Sequence, residues 1–423
     1  MTSGAWSRSS RGIAAVTTGS LAAQAILVAA TPVLSRVYPP ESVGHFSVVL
    51  GVAAIVGPAA ALKFDAALLL APTEEGAGRL LRLGLLSSVL IASLAVLAAW
   101  GAGAAGFRVP WTDLAWAPLW VGAGVLATAT YSVLTQAALR ARAYSAVARR
   151  GPVQSLATVA SQLGFGLVSQ SGAALLSGQL VGRAFGYAAL LRAAQDLLRR
   201  PTSGSYRSLL RSYWKFPLVF APSGVLNSLG TQLPLVLVAT AFGAGEAGQL
   251  GMAQRLAFIP GTLLGASVGQ VVAAELSSEV REGRGRGREL YLRTSGRLAL
   301  VGSAVTLVLV LVAPWLLPLC LGGQWSQSGP FVRAMAICVG IGLVASPLSQ
   351  VYLIHQSLAS VAVDVSRVVL IAVAAGVAHA LQTNAVQTIW LISTAQSVNY
   401  VVTWVYGLRI VSEPHPVPQQ SLS

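Results

Sequence analysis

The sequence predicts an all-α polytopic membrane protein of about twelve transmembrane helices, set in two six-helix halves with both termini cytoplasmic. Three observations carry that prediction. The 423 residues are 55% hydrophobic and only 10% charged, whereas soluble domains carry about 25% charged residues. Mean hydropathy is +0.69. Apolar runs of about 20 residues, the length that crosses a hydrocarbon core of ~30 Å, recur from end to end. A soluble enzyme, a secreted disulfide scaffold and a disordered chain are thereby excluded.

Taken in order, the first run is 12–35. Arg8 and Arg11 precede it as in a signal peptide, but about 23 residues exceed a typical signal h-region, so it is read as a retained span. Runs 44–62 (extending toward 71), 80–106, 114–138, 153–172 and 174–193 complete the first half, predicted over 1–200. Runs 216–241, 247–275, 298–320, 331–354, 357–379 and 386–408 form the second, predicted over 201–423.

The net charge of +15 invites a nucleic-acid reading, which the placement of the charges opposes. With a cytoplasmic N-terminus, 22 of the 28 Lys and Arg residues fall in the inner segments. The outer side holds Arg36, Arg108 and Arg333, and Arg183, Arg255 and Arg367 lie within spans. That asymmetry is the positive-inside pattern. Trp100, Trp111, Trp116, Trp214, Trp315, Trp325 and Trp404 fall near span ends, where an aromatic belt places them. Cys320 and Cys338 imply no disulfide framework and read as buried thiols.

The connections bear on function. The outer loops (36–43, 107–113, 173, 242–246, 321–330 and 380–385) leave no room for a catalytic or receptor domain. The longest inner connection, 192–215, reads as a basic amphipathic surface helix broken at Pro201 and Gly204. Glu74–Glu75 is the sole adjacent acidic pair and reads as solvated charge. There is no phosphate-cradling glycine loop. His45, His355, His379 and His415 are scattered, without metal-ligand spacing. The chain is expected to have no catalytic residue, cofactor or metal, and to move a substrate rather than change it.

A weak repeat at an offset of about 204 residues supports the two halves. The turn Arg36-Val37-Tyr38-Pro39-Pro40-Glu41-Ser42-Val43-Gly44 follows the first span, and Phe242-Gly243-Ala244-Gly245-Glu246-Ala247-Gly248 follows the seventh. Six spans per half make this a parallel repeat about an axis along the membrane normal.

Residues Leu34 through Phe46 resemble the turn after span one of polysaccharide and O-antigen flippases, within the multidrug/oligosaccharidyl-lipid/polysaccharide (MOP) exporter superfamily. Leu62-Lys63-Phe64-Asp65-Ala66-Ala67 is similar to their segment ending span two, with Lys for Arg and Asp for Glu. Phe216-Pro217, Leu226-Asn227 and Gln232-Leu233-Pro234 resemble their seventh span. Gly248, Gln254-Arg255, Pro260 and Gly269-Gln270-Val271 resemble the eighth. The resemblance implies alternating-access translocation of an undecaprenyl-pyrophosphate-linked oligosaccharide across the bacterial inner membrane. It also implies membrane lipids, and the polymerase or glycosyltransferases of the same pathway, as partners. Nucleic acid is not among them, and proton or sodium coupling stays open.

Charges inside spans give the candidate site, because each costs at least ~2.5–3.5 kcal/mol at mid-bilayer. Arg183 stands in Gly178-Gln179-Leu180-Val181-Gly182-Arg183-Ala184-Phe185-Gly186, a tandem small-xxx-small pattern that permits close helix approach. It points about 100° from the glycine face, toward either a substrate anion or helix carbonyls. Arg255, two turns into span eight, is a second candidate that could also snorkel partway to the interface. Arg36 and Lys63 read equally as substrate-binding groups or interfacial charges. Asp65 is a candidate for coupling or gating. Asp364 and Arg367, at i and i+3, form either a structural ion pair or a coupled one, with Arg367 also a substrate-binding candidate. Arg183 and Arg255 are expected to share one anionic head group between the halves. Pro217, Pro222 and Pro234 bracket and interrupt span seven. Two alternatives remain: a multidrug or organic-cation exporter, which would favour buried carboxylates, and a polytopic glycosyltransferase or ligase, which would need an extracytoplasmic loop.

Overall fold

The computed structural model describes residues 3–106, 114–200, 205–259, 286–354 and 359–412, with isolated positions between 261 and 278. Backbone alone is described at 3–13, 353–354 and 359–360. All regular structure among these residues is helical. The helices are α1 (Ser3–Val37), α2 (Pro40–Ala60), α3 (Phe64–Leu70), α4 (Glu74–Ala104), α5 (Ala117–Arg140), α6 (Tyr144–Gly166), α7 (Gly172–Arg199), α8 (Tyr206–Ser212), α9 (Ala221–Phe242) and α10 (Ala244–Ala257). There follow α11 (Gly287–Leu311), α12 (Ala313–Leu321), α13 (Ser328–Leu348), α14 (Gln350–Ile354), α15 (Ala359–Ala380) and α16 (Ala385–Ser412).

Nine stretches among the described residues are long and apolar enough to cross a membrane, and this is a multi-pass membrane protein. Two more predicted spans, 153–172 and 386–408, coincide with α6 and α16, which are long but more polar. The predicted span 247–275 lies only partly within the described residues. Residues 192–199 continue α7 rather than forming a separate surface helix, and the short α8 lies in the described remainder of the basic connection.

The exterior is apolar, as lipid requires. On α4, Leu86, Leu90, Leu94 and Leu97 form one stripe, each at least half exposed. Thr31, Ser88 and Gln162 are instead buried. Hydrocarbon gives no hydrophobic drive between helices, so close packing of small residues and hydrogen bonds hold them together.

By proximity the chain divides into two compact units, Met1–Gly248 and Gln249–Ser423. In the first, α7 lies against α6 through the three glycines the sequence singles out. β-carbons at Gly178 and Gly182 would collide with Gln162 and Thr158, and one at Gly186 would stand 3.0 Å from Gln154 Oε1. The partners descend by four as the glycines ascend by four, so the helices run antiparallel along one shared seam. Gly19 meets the Ala148 carbonyl in the same way and draws α1 onto α6. The Tyr38 hydroxyl donates to the Gln162 carbonyl at 2.6 Å, and Gln162 Nε2 donates to Leu175 O at 3.1 Å.

Span two is broken where α2 gives way to α3. Leu62 and Lys63 have φ of 50° and 58°, the left-handed region that costs an L side chain energy. The run around Pro217 and Pro222 forms a π-turn, Phe216–Phe220, in which the Ala221 N–H bonds back to Phe216 O. Pro222 has no N–H and crowds the carbonyl four residues before it, which a wider turn relieves. Pro234 is accommodated within a continuous α9.

The repeated turns meet within this unit. A β-carbon at Gly44 would strike the Ala244 carbonyl, and one at Gly248 would strike the Pro40 carbonyl. Gly248 follows Gly44, and Ala244 follows Pro40, at the same offset of about 204 residues, so the starts of α2 and α10 cross reciprocally.

In the second unit, Gly302 and Gly340 bring α11 against α13. The Tyr291 hydroxyl donates to Trp404 O at 3.0 Å, and Trp404 Nε1 to Ser295 Oγ at 2.8 Å. Trp325 departs from the aromatic-belt expectation. It is fully buried at the end of the 3₁₀ turn Gly323–Trp325, whereas Trp100, Trp116, Trp214 and Trp315 are exposed. Cys320 and Cys338 are free thiols.

Candidate functional site

The first unit gathers a polar cluster onto one face of α5. That face presents Thr128, Tyr131 and Thr135, at i, i+3 and i+7, so the three side chains stack along two turns. Arg183 arrives from α7, where the glycine seam turns its neighbours toward α6 and leaves it facing α5. Its Nη1 donates to Thr128 Oγ1 at 2.8 Å. Arg150 arrives from α6. Its Nη1 donates to Thr135 Oγ1 at 2.6 Å, and its Cζ stands 4.0 Å from the Tyr131 ring centroid. Tyr187, one turn beyond Arg183, donates to Ala127 O and shares a 3.0 Å hydrogen bond with Thr130 Oγ1.

Asp65 is buried near this cluster, accepting a hydrogen bond from Ser132 Oγ on Oδ2. Its Oδ1 has no hydrogen-bond partner among the described residues. Neither Arg150 nor Arg183 forms an ion pair with an acid among those residues. Acids do pair with other cations, as in Arg140–Glu74 at 3.0 Å and Arg367–Asp364 at 3.3 Å. The site is thus cationic, lined by hydroxyls and short of compensating carboxylates.

Lys63 sits at the left-handed break and extends toward α9. A β-carbon at Gly224 would lie 3.1 Å from its Cε and 3.4 Å from its Nζ. Arg36 is exposed at the end of α1, where its Nη1 donates to Pro32 O of its own helix at 2.9 Å. At the crossing of the repeated turns, burial raises the Glu246 carboxyl above its ordinary value. In the second unit, Arg367 is buried on α15 and paired with Asp364 one turn away. Arg255 lies half-buried on α10.

The structure therefore brings Arg183 and Asp65 into the bundle around α5, and leaves Arg36 on its own helix end. Sequence reasoning overlooked Thr128, Tyr131, Thr135, Ser132 and Tyr187, and placed Arg150 among the inner-loop charges. A polar i, i+3, i+7 stripe on an otherwise apolar helix is the signal that marks the first three.

The described residues contain no group of three or more His, Cys, Asp or Glu able to hold a metal ion. No curated protein matches the chain. Among solved structures, the chain is similar to an inward-facing multidrug resistance MATE family transporter of the MOP superfamily. Identity is 16%, coverage 92% of this chain and 94% of that one, and the TM-score 0.66. It is likewise similar to the lipid II flippase MurJ in an inward closed conformation. There identity is 12%, coverage 93% and 87%, and the TM-score 0.69. These likenesses establish the fold, which is shared with that transporter and that flippase. The model of the polysaccharide biosynthesis protein family matches residues 33–330, about two thirds of the sequence, and the chain belongs to that family.

Proposed function

We propose that this protein translocates a polyprenyl-pyrophosphate-linked oligosaccharide across the bacterial inner membrane by alternating access, without covalent chemistry of its own. The single observation carrying the proposal is Arg183. It is a guanidinium near the middle of a membrane-spanning helix, bonded to a threonine and, among the described residues, to no acid. A charge so placed is costly unless an anion arrives to use it. A phosphate linkage suits it, because guanidinium groups bind phosphate oxygens bidentately. The family, polysaccharide biosynthesis, supplies the sugar, and the structural likeness to a lipid II flippase supports a lipid-borne substrate. Lys63, Arg255 and Arg367 are proposed as further cations on the path, with Asp65 and Asp364 as candidates for coupling or gating. A polymerase or glycosyltransferases of the same pathway are the proposed partners.

The likeness to a multidrug transporter favours a second reading, an exporter of organic cations. Asp65 is the observation behind it, a buried acid with one oxygen unpartnered among the described residues. The cations around α5 argue against a cationic cargo.

The test is transport of a fluorescent undecaprenyl-pyrophosphate-linked oligosaccharide in proteoliposomes, normalised to inserted protein. A charge-assisted hydrogen bond is worth about 1.5–3 kcal/mol, so Arg183→Ala should weaken substrate binding about tenfold to a hundredfold. Arg183→Lys should recover part of it. Normal transport per molecule by Arg183→Ala would rule out the arginine-centred mechanism.

A further inference from the structure

The inference concerns Arg150, and it rests on the proposed substrate class. We propose that Arg150 and Arg183 are two successive binding stations for the phosphate linkage, with Arg150 meeting it before Arg183. The geometry is that of a ladder on α5. Arg183 is anchored on Thr128 and Arg150 on Thr135. At 1.5 Å of rise per residue, those anchors are about 10.5 Å apart along the helix. Tyr131 stands between them, with Arg150 over its ring. A pyrophosphate spans only a few ångströms between its outer oxygens, so one linkage cannot engage both anchored guanidinium groups fully. It is held first by one and then by the other.

Three features separate Arg150 from a packing residue. First, it is half-buried, yet no carboxylate pairs with it among the described residues. Second, one of its donors is to spare. One nitrogen bonds Thr135, while Nε is buried without a hydrogen-bond partner among the described residues. A guanidinium carries five N–H donors in a planar fork, and such a fork matches phosphate oxygens. Third, another buried polar atom without a partner among the described residues lies one turn away on α6. A β-carbon at Gly186 would lie 3.5 Å from Arg150 Cγ and 3.0 Å from Gln154 Oε1, itself buried and unpartnered among the described residues. All three glycines thus close on α6, and at Gly186 the facing residues are Gln154 and Arg150.

Direction follows from position along the elements. Thr135 is the nearer of the two anchors to Arg140 and the basic end of α5, which the positive-inside pattern makes the cytoplasmic end. The Tyr131 ring has a face for the guanidinium and leaves the fork's edge free for oxygens. An incoming phosphate would displace the weaker partner, the Thr135 hydroxyl, at little cost. Moving on to Arg183, it would exchange one guanidinium for another, so neither station becomes a trap.

The test measures transport of the same fluorescent lipid-linked oligosaccharide over a range of substrate concentrations, with thermal stability in detergent measured alongside. Arg150→Gln should raise the half-saturating concentration at least tenfold while the melting temperature changes little. Arg150→Lys should be intermediate. Inorganic pyrophosphate should compete with substrate in the wild type and less effectively in Arg150→Gln. A packing role would instead lower stability and leave the half-saturating concentration of the surviving protein unchanged, and that result overturns the inference. If Arg150→Gln fails to accumulate, Arg150→Lys decides: an unchanged half-saturating concentration there overturns it as well. Failure of the wild type to transport would overturn the flippase reading together with this one. Normal wild-type transport with normal Arg150 variants overturns this inference alone.

Discussion

Arg183 and Asp65 are both charged residues held inside the same helical bundle, and hydroxyl partners treat them differently. Thr128 Oγ accepts from Arg183, while Ser132 donates to Asp65. Thr128→Val keeps the shape and removes the acceptor, leaving a donor unpaired at a cost of about 1–3 kcal/mol. The melting temperature in detergent should fall, and Thr128→Ser should restore it; an unchanged Thr128→Val would mean that the bond contributes nothing. Asp65→Asn should behave oppositely. The asparagine carbonyl can accept from Ser132, and removal of a buried acid with no ionic partner among the described residues should leave the melting temperature unchanged or higher. A collapse of that variant would reveal a cation serving Asp65. At this scale the sequence was informative about which charges lie inside helices. Arg183 facing away from its glycines and the Asp364–Arg367 pair both follow from helical spacing alone. Arg150 does not, because its lateral position depends on α6 being drawn against α7, and nothing local distinguishes it from the neighbouring Arg149.

The elements are held by glycine seams, and their sensitivity is calculable. Gly182→Leu would drive a side chain into Thr158 across the α6–α7 seam. Overpacking typically costs 1–3 kcal/mol, and more where backbone must move. Such a variant should insert poorly or melt far earlier, and a wild-type melting profile would show that the seam is loose. The crossing of α2 and α10 carries a pH-dependent element. Burial raises the Glu246 carboxyl in the folded state, so the folded protein binds that proton more tightly than the unfolded chain does. Its contribution to stability is therefore largest at acidic pH and is lost as pH rises through the raised value. Glu246→Gln should flatten that part of the stability-versus-pH curve, measured as melting temperature between acidic and neutral pH; an identical slope in the variant would exclude Glu246 as its source. The small-xxx-small pattern marked the α7 side of the first contact in advance, whereas the repeated turns supported two halves without showing that the turns meet. The break at Leu62–Lys63 was not legible, because a left-handed pair of non-glycine residues is imposed by its surroundings and leaves no local signature. Trp325 misled for a related reason: proximity to a span end does not distinguish an interfacial ring from one buried at the end of a turn.

At the scale of the molecule, hydropathy and charge asymmetry specify the class of protein, and family membership supplies the setting of polysaccharide biosynthesis. The direction of transport rests on the positive-inside pattern. Single cysteines placed at Arg79 and Arg207 should react with membrane-impermeant maleimide only after the cells are opened, and labelling of intact cells would reverse the topology. The identity of the cargo is the central claim, and the cation-rich, acid-poor cluster on α5 bears on it most closely. Its most direct test is a paired transport measurement in one proteoliposome preparation. One cargo is an undecaprenyl-pyrophosphate-linked oligosaccharide and the other an organic cation dye. The lipid-linked sugar should move in a manner that depends on Arg183, with the dye left behind. Movement of the dye, with the lipid-linked sugar remaining in its original leaflet, would contradict it.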